Sequence, residues 1–438
     1  MMKKTISRSR AVFFGLVTSL VFSLPAQAGV QIEQWQTAQG TRVYFVAAPS
    51  LPILDVQIDF AAGSMFDPQG KAGVAALTRS ALDLGAGQRD ETAIAETLAD
   101  LGAVLGGGVD TDRASLSLRT LADVRTREAA LAVLREVVAQ PHFAEDIVER
   151  EKMRTVASLK DALTRPDSIA GKAFWAAMYP QHPYGQQASP ESVARITRED
   201  LLAFHTRLYN ATNASITLVG PLSRGESEKI AQSLSAALPA GLPPALPPPP
   251  IAPAGQEVAL AHPASQAHIY LGLPAIERGH PDFFALQVGN YTLGGGGFVS
   301  SLVKEVRDKR GFAYSVYSYF APLRQVGPFQ IGLQTQKKQA GAAIKVVREV
   351  LENFLKTGPS AEELAAAKAN LSGSFPLRLD SNAKLLANVA AIGFYGLPLD
   401  YLDTYRARIE AVTAEEVKAA FARHVRVADL ITVTVAAQ

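Results

Sequence analysis

The sequence predicts an α+β protein built by tandem duplication of one domain. Two observations carry this reading. Short blocks recur at a nearly constant shift: residues 133–138 (VLREVV) match 346–351 (VVREVL), residues 196–201 (ITREDL) match 412–417 (VTAEEV), and the β-branched runs 215–219 and 430–435 follow the second pair, so the shifts are 213, 216 and about 215 residues. Between the copies lies a proline-rich stretch, residues 239–255, where repeated proline favours an extended chain and forbids a helix or a central strand. A length of 438 residues accommodates two such domains, 29–238 and 256–438, with the proline segment as a semi-rigid spacer.

Before the first domain, Lys3, Lys4, Arg8 and Arg10 precede an apolar run at 11–24, which ends in Pro25-Ala26-Gln27-Ala28 ahead of Gly29. This is the pattern of a cleavable export signal, residues 1–28, with a small-x-small cleavage site. The apolar run is too short for a permanent membrane anchor. A mature chain from Gly29 is expected in the periplasm, with secretion the second choice. The chain has no cysteine, so neither disulfides nor lipidation at the cleavage site is available. A formal charge of +2 with no basic stripe argues against a nucleic-acid partner, since phosphate neutralisation needs clustered Lys and Arg.

The first domain opens with an extended apolar segment, 54–61, a Gly-Ser turn, and a helix of small residues that ends near Leu84 and Gly85. This strand and helix, with the segment Gly73-Val74-Ala75-Ala76-Leu77-Thr78-Arg79-Ser80, resemble the first strand and helix of the pitrilysin/insulinase peptidases, the zinc enzymes with an inverted motif. In that family the helix carries His-x-x-Glu-His. Two neutral imidazoles four residues apart share a helix face and one Zn²⁺, and the carboxylate activates the metal-bound water. The corresponding positions here are Ala76, Arg79 and Ser80: one has no donor atom, one is permanently charged and one is a poor ligand. The family's third ligand is a Glu seven residues beyond the Glu of an Arg-Glu pair. The pair survives as Arg150 and Glu151, the latter a retained acid beside the former site, but the ligand position holds Ser158. The resemblance therefore implies that this chain has no catalytic residue and no metal site of its own.

Residues 104–109 (VLGGGV) occupy the place where active relatives have a substrate-pairing edge strand, and their glycine content departs from that pattern. His182-Pro183-Tyr184-Gly185 is a further family-like stretch. Ile196-Thr197 and Val412-Thr413 each open a helix with a threonine cap and acidic first turn. Charged residues Glu145, Asp146, Glu149 and Glu151 sit at a helix start, where carboxylates complement the dipole.

In the second half, Leu293-Gly294-Gly295-Gly296-Gly297-Phe298 precedes a helix expected from Ser300 onward. No Gly-Lys-Ser/Thr follows the glycines, so a phosphate cradle is not indicated. Next comes Arg307-Asp308-Lys309-Arg310-Gly311-Phe312-Ala313-Tyr314, a helix end with a glycine stop, then an aromatic strand to Phe320. In the family an Arg and a Tyr at this spacing face the zinc from the second domain, and both are kept here as Arg307 and Tyr314. A guanidinium and a phenol can each donate a hydrogen bond to the oxyanion that forms on the substrate carbonyl. The seven histidines, His142, His182, His205, His262, His268, His280 and His424, show no i,i+4 pair and read as loop or surface residues. No Gly-x-Ser-x-Gly or other triad signal is present.

The resemblance covers nearly all of the mature chain. It implies two domains, each an antiparallel-rich sheet with helices packed on one face, facing one another across a chamber. Some bacterial members of the family work as pairs of separate chains, one supplying the zinc helix and the other the Arg-Tyr pair, and this chain resembles the second. The expected partners are a homologous zinc-bearing subunit, which would hold the only zinc, and peptide substrates. The alternatives are a non-enzymatic assembly or peptide-binding module, a homodimeric scaffold among them, and an active peptidase with other ligands, which the charge of Arg79 disfavours.

Overall fold

The computed structural model describes residues 29–436; the segment expected to be an export signal, 1–28, lies outside the described residues. In the first half the elements run β1 (Glu33–Gln36), β2 (Arg42–Ala47), β3 (Ile53–Phe60), α1 (Val74–Ala81), β4 (Gly85–Ala86), β5 (Arg89–Asp90), α2 (Glu91–Asp100), β6 (Val104–Val109), β7 (Ala114–Leu121), α3 (Val124–Ala139), α4 (Glu145–Ala162), α5 (Pro166–Met178), α6 (Pro190–Ala194), α7 (Arg198–Leu208), β8 (Ala214–Gly220) and α8 (Arg224–Ala237). The second half contributes β9 (Glu257–Ala261), β10 (Gln266–Ile276), α9 (Phe283–Asn290), β11 (Ala313–Phe320), β12 (Gly327–Gln336), α10 (Ala340–Thr357), α11 (Ala361–Ser374), α12 (Asn382–Tyr395), α13 (Tyr401–Ala411), α14 (Ala414–His424) and β13 (Ile431–Ala436).

Sheet order establishes the duplication. The first sheet runs β1-β2-β8-β3-β7-β6 and the second, read from its opposite end, β9-β13-β10-β12-β11. Apart from the extra β1, the two orders coincide, and each contains one parallel pair at the same place, β2 with β8 and β9 with β13. The repeated blocks fall where the shift demands: the 133 and 346 blocks in α3 and α10, the threonine-capped blocks at the starts of α7 and α14, and the β-branched runs in β8 and β13. Thr197 and Thr413 both form reciprocal caps, with Asp200 and Glu416. The seven residues of β8 are all buried, as a central strand covered on both faces requires.

Each sheet has its own half's helices on one face, and the other face receives one helix from the opposite half. Helix α5 packs on β10 and β13, while α12 packs on β2, β3 and β8. The exchange is close-fitting. Phe174 of α5, fully buried, fills the space that a Cβ on Gly272 of β10 would occupy, and Tyr44 of β2 does the same above Gly393 of α12. Arg42 on β2 donates to the Gly393 carbonyl at 3.1 Å. Hence Ile431, Val433 and Val435 belong to the first half's apolar core, and Tyr44, Val46 and Val219 to the second's.

A polar clasp closes the same interface. The carboxylate of Asp112, buried in the β6–β7 turn, accepts from the Tyr184 hydroxyl at 2.7 Å, the Tyr395 hydroxyl at 2.9 Å and the Arg324 backbone N–H at 2.9 Å. Burial holds its carboxyl above the ordinary value even though all three donors pull the other way. The Gln325 N–H donates to Tyr184, and its side chain joins His182 at 2.6 Å and the Pro247 carbonyl at 2.5 Å. The His-Pro-Tyr-Gly stretch is thus a junction between the halves. The proline segment is not free of the domains: besides Pro247, the carbonyls of Pro239, Gly241 and Leu242 accept from Ala211, Thr212 and Asn210.

Asp112→Ala leaves one buried phenol, one half-buried phenol and an N–H without their acceptor, and is expected to lower unfolding free energy by roughly 2–4 kcal/mol. Chemical denaturation at neutral pH reads this, and an unchanged midpoint would show the clasp to be idle. Fully buried Asp59 gives a pH signature. Desolvation raises its carboxyl from 3.8 to about 6 despite Arg113 at 3.2 Å. A raised folded-state value means that its stabilising contribution is complete below about pH 4 and is lost as pH rises through about 6. Asp59→Asn cannot ionise, so its stability relative to wild type should improve by on the order of 2–3 kcal/mol between pH 4 and pH 7; a constant difference across that window contradicts the assignment.

Candidate functional site

Helix α1 is fixed at its start by a buried carboxylate rather than by a capping side chain at its own boundary. Asp67 accepts from the Gly73 and Ala75 N–H groups, both at 2.7 Å, and burial raises its carboxyl to about 6. Gly73, with φ of 111°, takes a left-handed conformation that suits glycine. Val74, Ala75, Leu77 and Ala81 bury one face of the helix, leaving Ala76 and Ser80 exposed on another. The two positions that would carry imidazoles therefore do share a face, but the methyl group of Ala76 offers no lone pair and the Ser80 hydroxyl donates to the Leu77 carbonyl at 3.1 Å.

Arg79 is buried, 7% exposed, and is satisfied mainly by backbone. Its Nε donates to the Ser115 carbonyl at 2.7 Å and Nη2 to the Gly106 carbonyl at 2.5 Å, while Nη1 lies 3.5 Å from Asp83. Asp83, one helical turn on, is its only carboxylate partner among the described residues, and Glu151 is not one. Glu151 accepts instead from Arg150 and Arg154, both at 3.1 Å, and Arg150 also reaches Glu91 at 2.9 Å. The retained Arg-Glu pair thus ties α4 to the start of α2. Ser158, farther along α4, is exposed.

The arrangement cannot hold a catalytic metal. Ala76, Arg79, Ser80 and Ser158 supply no imidazole and no carboxylate, and a guanidinium lies where a dication would need negative ligands. Through the Gly106 and Ser115 carbonyls Arg79 spans β6 and β7, the last two strands of the sheet.

The second half presents a different surface. The chain from Val303 to Asp308 is wound as a wide π turn, and the expected helix cap at Ser300 is not formed, because its hydroxyl donates to the Gly297 carbonyl instead. Gly311, with φ of 63°, ends this turn. In β11 the register slips between Ala313 and Ser315, so Tyr314 is the extra residue of a bulge. Its side chain is thrown outward and is 87% exposed. The Arg307 guanidinium lies between two rings, 4.7 Å from the centre of Phe298 and 5.1 Å from that of Tyr314. Together they line a cleft of about 380 Å³ with Gly294, Gly295 and Tyr317. The glycine run serves close approach here: a Cβ on Gly294 would lie 2.6 Å from the Ser318 nitrogen. No residue of α1 lines this cleft, so the chain does not bring its two sets of site residues together.

One constellation escaped the sequence. His280 and His424 stack edge to face with ring centres 4.7 Å apart, and Asp282 lies 2.9 Å from His424 Nε2. Arg423 already holds both Asp282 oxygens, at 2.7 and 2.8 Å, which keeps that carboxyl down at about 2. The group acts as an ionic pin between the start of α9 and the end of α14. Only the contact across 142 residues reveals it, since no short spacing encodes it.

Comparison with known proteins agrees with this geometry. The pattern of the insulinase family, peptidase family M16, matches residues 42–190, and that of the peptidase M16 inactive domain matches residues 195–371. A solved peptidase M16 inactive domain from Pseudomonas fluorescens is 39% identical and superimposes with a TM-score of 0.90, covering 93% of this chain and 98% of that one. A non-peptidase homolog from Helicobacter pylori is 25% identical over 87% of this chain and 88% of its own length. The periplasmic protease PqqL of Escherichia coli shares the fold at a TM-score of 0.80 and 16% identity, with this chain spanning 49% of it. With its zinc positions occupied by Ala76, Arg79, Ser80 and Ser158, the chain belongs to peptidase family M16 as an inactive homolog of the family's peptidases.

Proposed function

We propose that this chain is the non-catalytic, exported subunit of a two-chain zinc peptidase and completes the active site of a homologous partner. The observation that carries the proposal is the exposed Tyr314, turned outward by its bulge beside an Arg307 held between two rings, in a chain whose metal positions are filled by non-ligands. An exposed phenol over a guanidinium adds little to stability, because surface cation–π pairs contribute only about 0.5–1 kcal/mol. As donors to a peptide carbonyl they have a use, and it requires a metal held by another chain.

In this scheme the partner holds the zinc, which supplies the activated water when bound. The residues of this chain bind and polarise. Tyr314 donates its hydroxyl, and Arg307 an N–H, to the scissile carbonyl oxygen as negative charge develops there. Export is supported by the basic, apolar and Ala-x-Ala segments of residues 1–28, by the periplasmic location of a protein of the same fold, and by the fact that among the described residues no helix is long and apolar enough to cross a membrane.

The isolated protein is expected to bind no stoichiometric zinc and to cleave no peptide. Metal analysis after purification in zinc-replete medium is the check; one tight zinc per chain, lost on substitution within residues 76–80, would overturn the reading. The partner to test is an exported chain with an intact His-x-x-Glu-His helix encoded beside this one. In the reconstituted pair, Tyr314→Phe or Arg307→Ala should leave association unchanged and lower peptide turnover about 10²- to 10³-fold. If the double variant hydrolyses peptide at the wild-type rate, the pair is structural and a non-enzymatic peptide-binding or assembly role is preferred.

A further inference from the structure

The first described residues of the chain do not lie over their own half. Val30 and Ile32 pack into the apolar core of the second half, ahead of β1. Val30 donates its N–H to Asp403 Oδ1 at 3.0 Å, joining residues 373 positions apart. Gly29 lies against the same carboxylate: a Cβ built on it would be 2.3 Å from Oδ1 and 2.8 Å from Oδ2. The Gly29 nitrogen is bonded to the same Cα, which places it within about 5 Å of those oxygens. Asp403 is exposed in the first turn of α13, and among the described residues no cation is paired with it. The carboxylate accepts one backbone N–H and is otherwise open to water, so a cation at the Gly29 nitrogen would stand within reach of it.

We propose that cleavage between Ala28 and Gly29 creates the missing cation, and that the new α-ammonium of Gly29 pairs with Asp403 to fasten the mature N-terminus onto the second half. This rests on the export reading above. In the step, water breaks the Ala28–Gly29 amide: its oxygen joins the Ala28 carbonyl carbon, which leaves as a carboxylate on the released segment, and both of its protons end on the Gly29 nitrogen, which becomes the ammonium. The peptidase is the membrane-bound class that removes export signals, for which Ala26 and Ala28 are the small-x-small determinant. Glycine at position 29 lets the carboxylate approach this closely, since a side chain there would displace it. Processing in this way converts a tail into a strap that bridges both halves, running from Asp403 through Val30 and Ile32 to β1 at the edge of the first sheet.

The experiment uses the full chain exported by a Gram-negative host. Intact mass of the purified protein should correspond to a chain starting at Gly29. Hydrogen exchange of residues 30–36 is then compared between wild type and Asp403→Asn, which keeps an acceptor for the Val30 N–H and removes only the charge. Exchange should be about fivefold faster in the variant at low salt, and the difference should shrink in ~1 M salt, where an exposed ion pair is screened. A chain cleaved elsewhere overturns the pairing and leaves export standing. A chain released without cleavage overturns both. A Gly29 start with equal exchange in the two proteins shows that cleavage occurs there but that Asp403 does not hold the ammonium, and the proposal fails.

Discussion

The molecule depends on the exchange of two helices. A mixed sheet with helices on one face leaves its other face apolar, and a single copy of this domain would expose Ile431, Val433 and Val435 on one sheet or Tyr44, Val46 and Val219 on the other. Duplication solves the problem reciprocally, because α5 covers the second sheet and α12 the first. Three residues of α5 alone, Ala170, Phe174 and Met178, have no exposed surface. Losing the Phe174 ring would cost roughly 3–5 kcal/mol, a large share of any domain's stability. Neither half is therefore an independent unit, and the proline segment between them does not set their relation. The helices and the Asp112 clasp do, so Arg307 and Tyr314 are carried on a rigid second half at a fixed orientation to the first.

On that frame, loss of the metal site required a local replacement. A zinc site binds its helix to the rest of the domain by coordination, and without that metal another link must hold the helix. Arg79 supplies three contacts from one side chain, to Ser115, Gly106 and Asp83, and so joins α1 to β6 and β7. The planar fork of a guanidinium suits carbonyls held at different angles better than a lysine would. The same three contacts explain why a permanent charge is tolerated at 7% exposure: two are to carbonyl dipoles and one is to an anion. Arg79 at this position thus acts as a strut between α1 and the last two strands of the sheet.

Much of this was legible in the sequence, and the illegible part has physical reasons. The duplication showed because threonine caps and β-branched strands are local signals that survive divergence, and they fell in equivalent elements. The vacated zinc positions showed because i,i+4 spacing on a helix needs no tertiary knowledge, and Ala76 and Ser80 do share a face. Asp83 reaches Arg79 by the same one-turn spacing, whereas Glu151 is taken by its own neighbours in α4. The helix exchange was invisible, since α5 and α12 owe their burial to strands more than a hundred residues distant and carry no mark of which half they cover. Ser300 looked like a helix cap and bonds backward to Gly297. A bulge of one residue at Tyr314 cannot be read from residue types, although it decides where the phenol points.

The bulge is also where the argument for a partner is strongest. Had β11 run in regular register through Tyr314, the ring would have alternated with its neighbours onto one face of the sheet, either into the core beside Val316 or toward Tyr317 and Tyr319, which lie on the opposite face. The extra residue breaks that alternation and costs the local ladder a pairing. The returned contact, a ring against Arg307 in water, is small. Structure that is disrupted at an edge strand in order to expose a phenol and a guanidinium side by side makes sense when a third group comes to meet them. α1 of the same chain lines no part of that cleft and offers no metal ligand, which is why the proposed function brings the third group on another molecule.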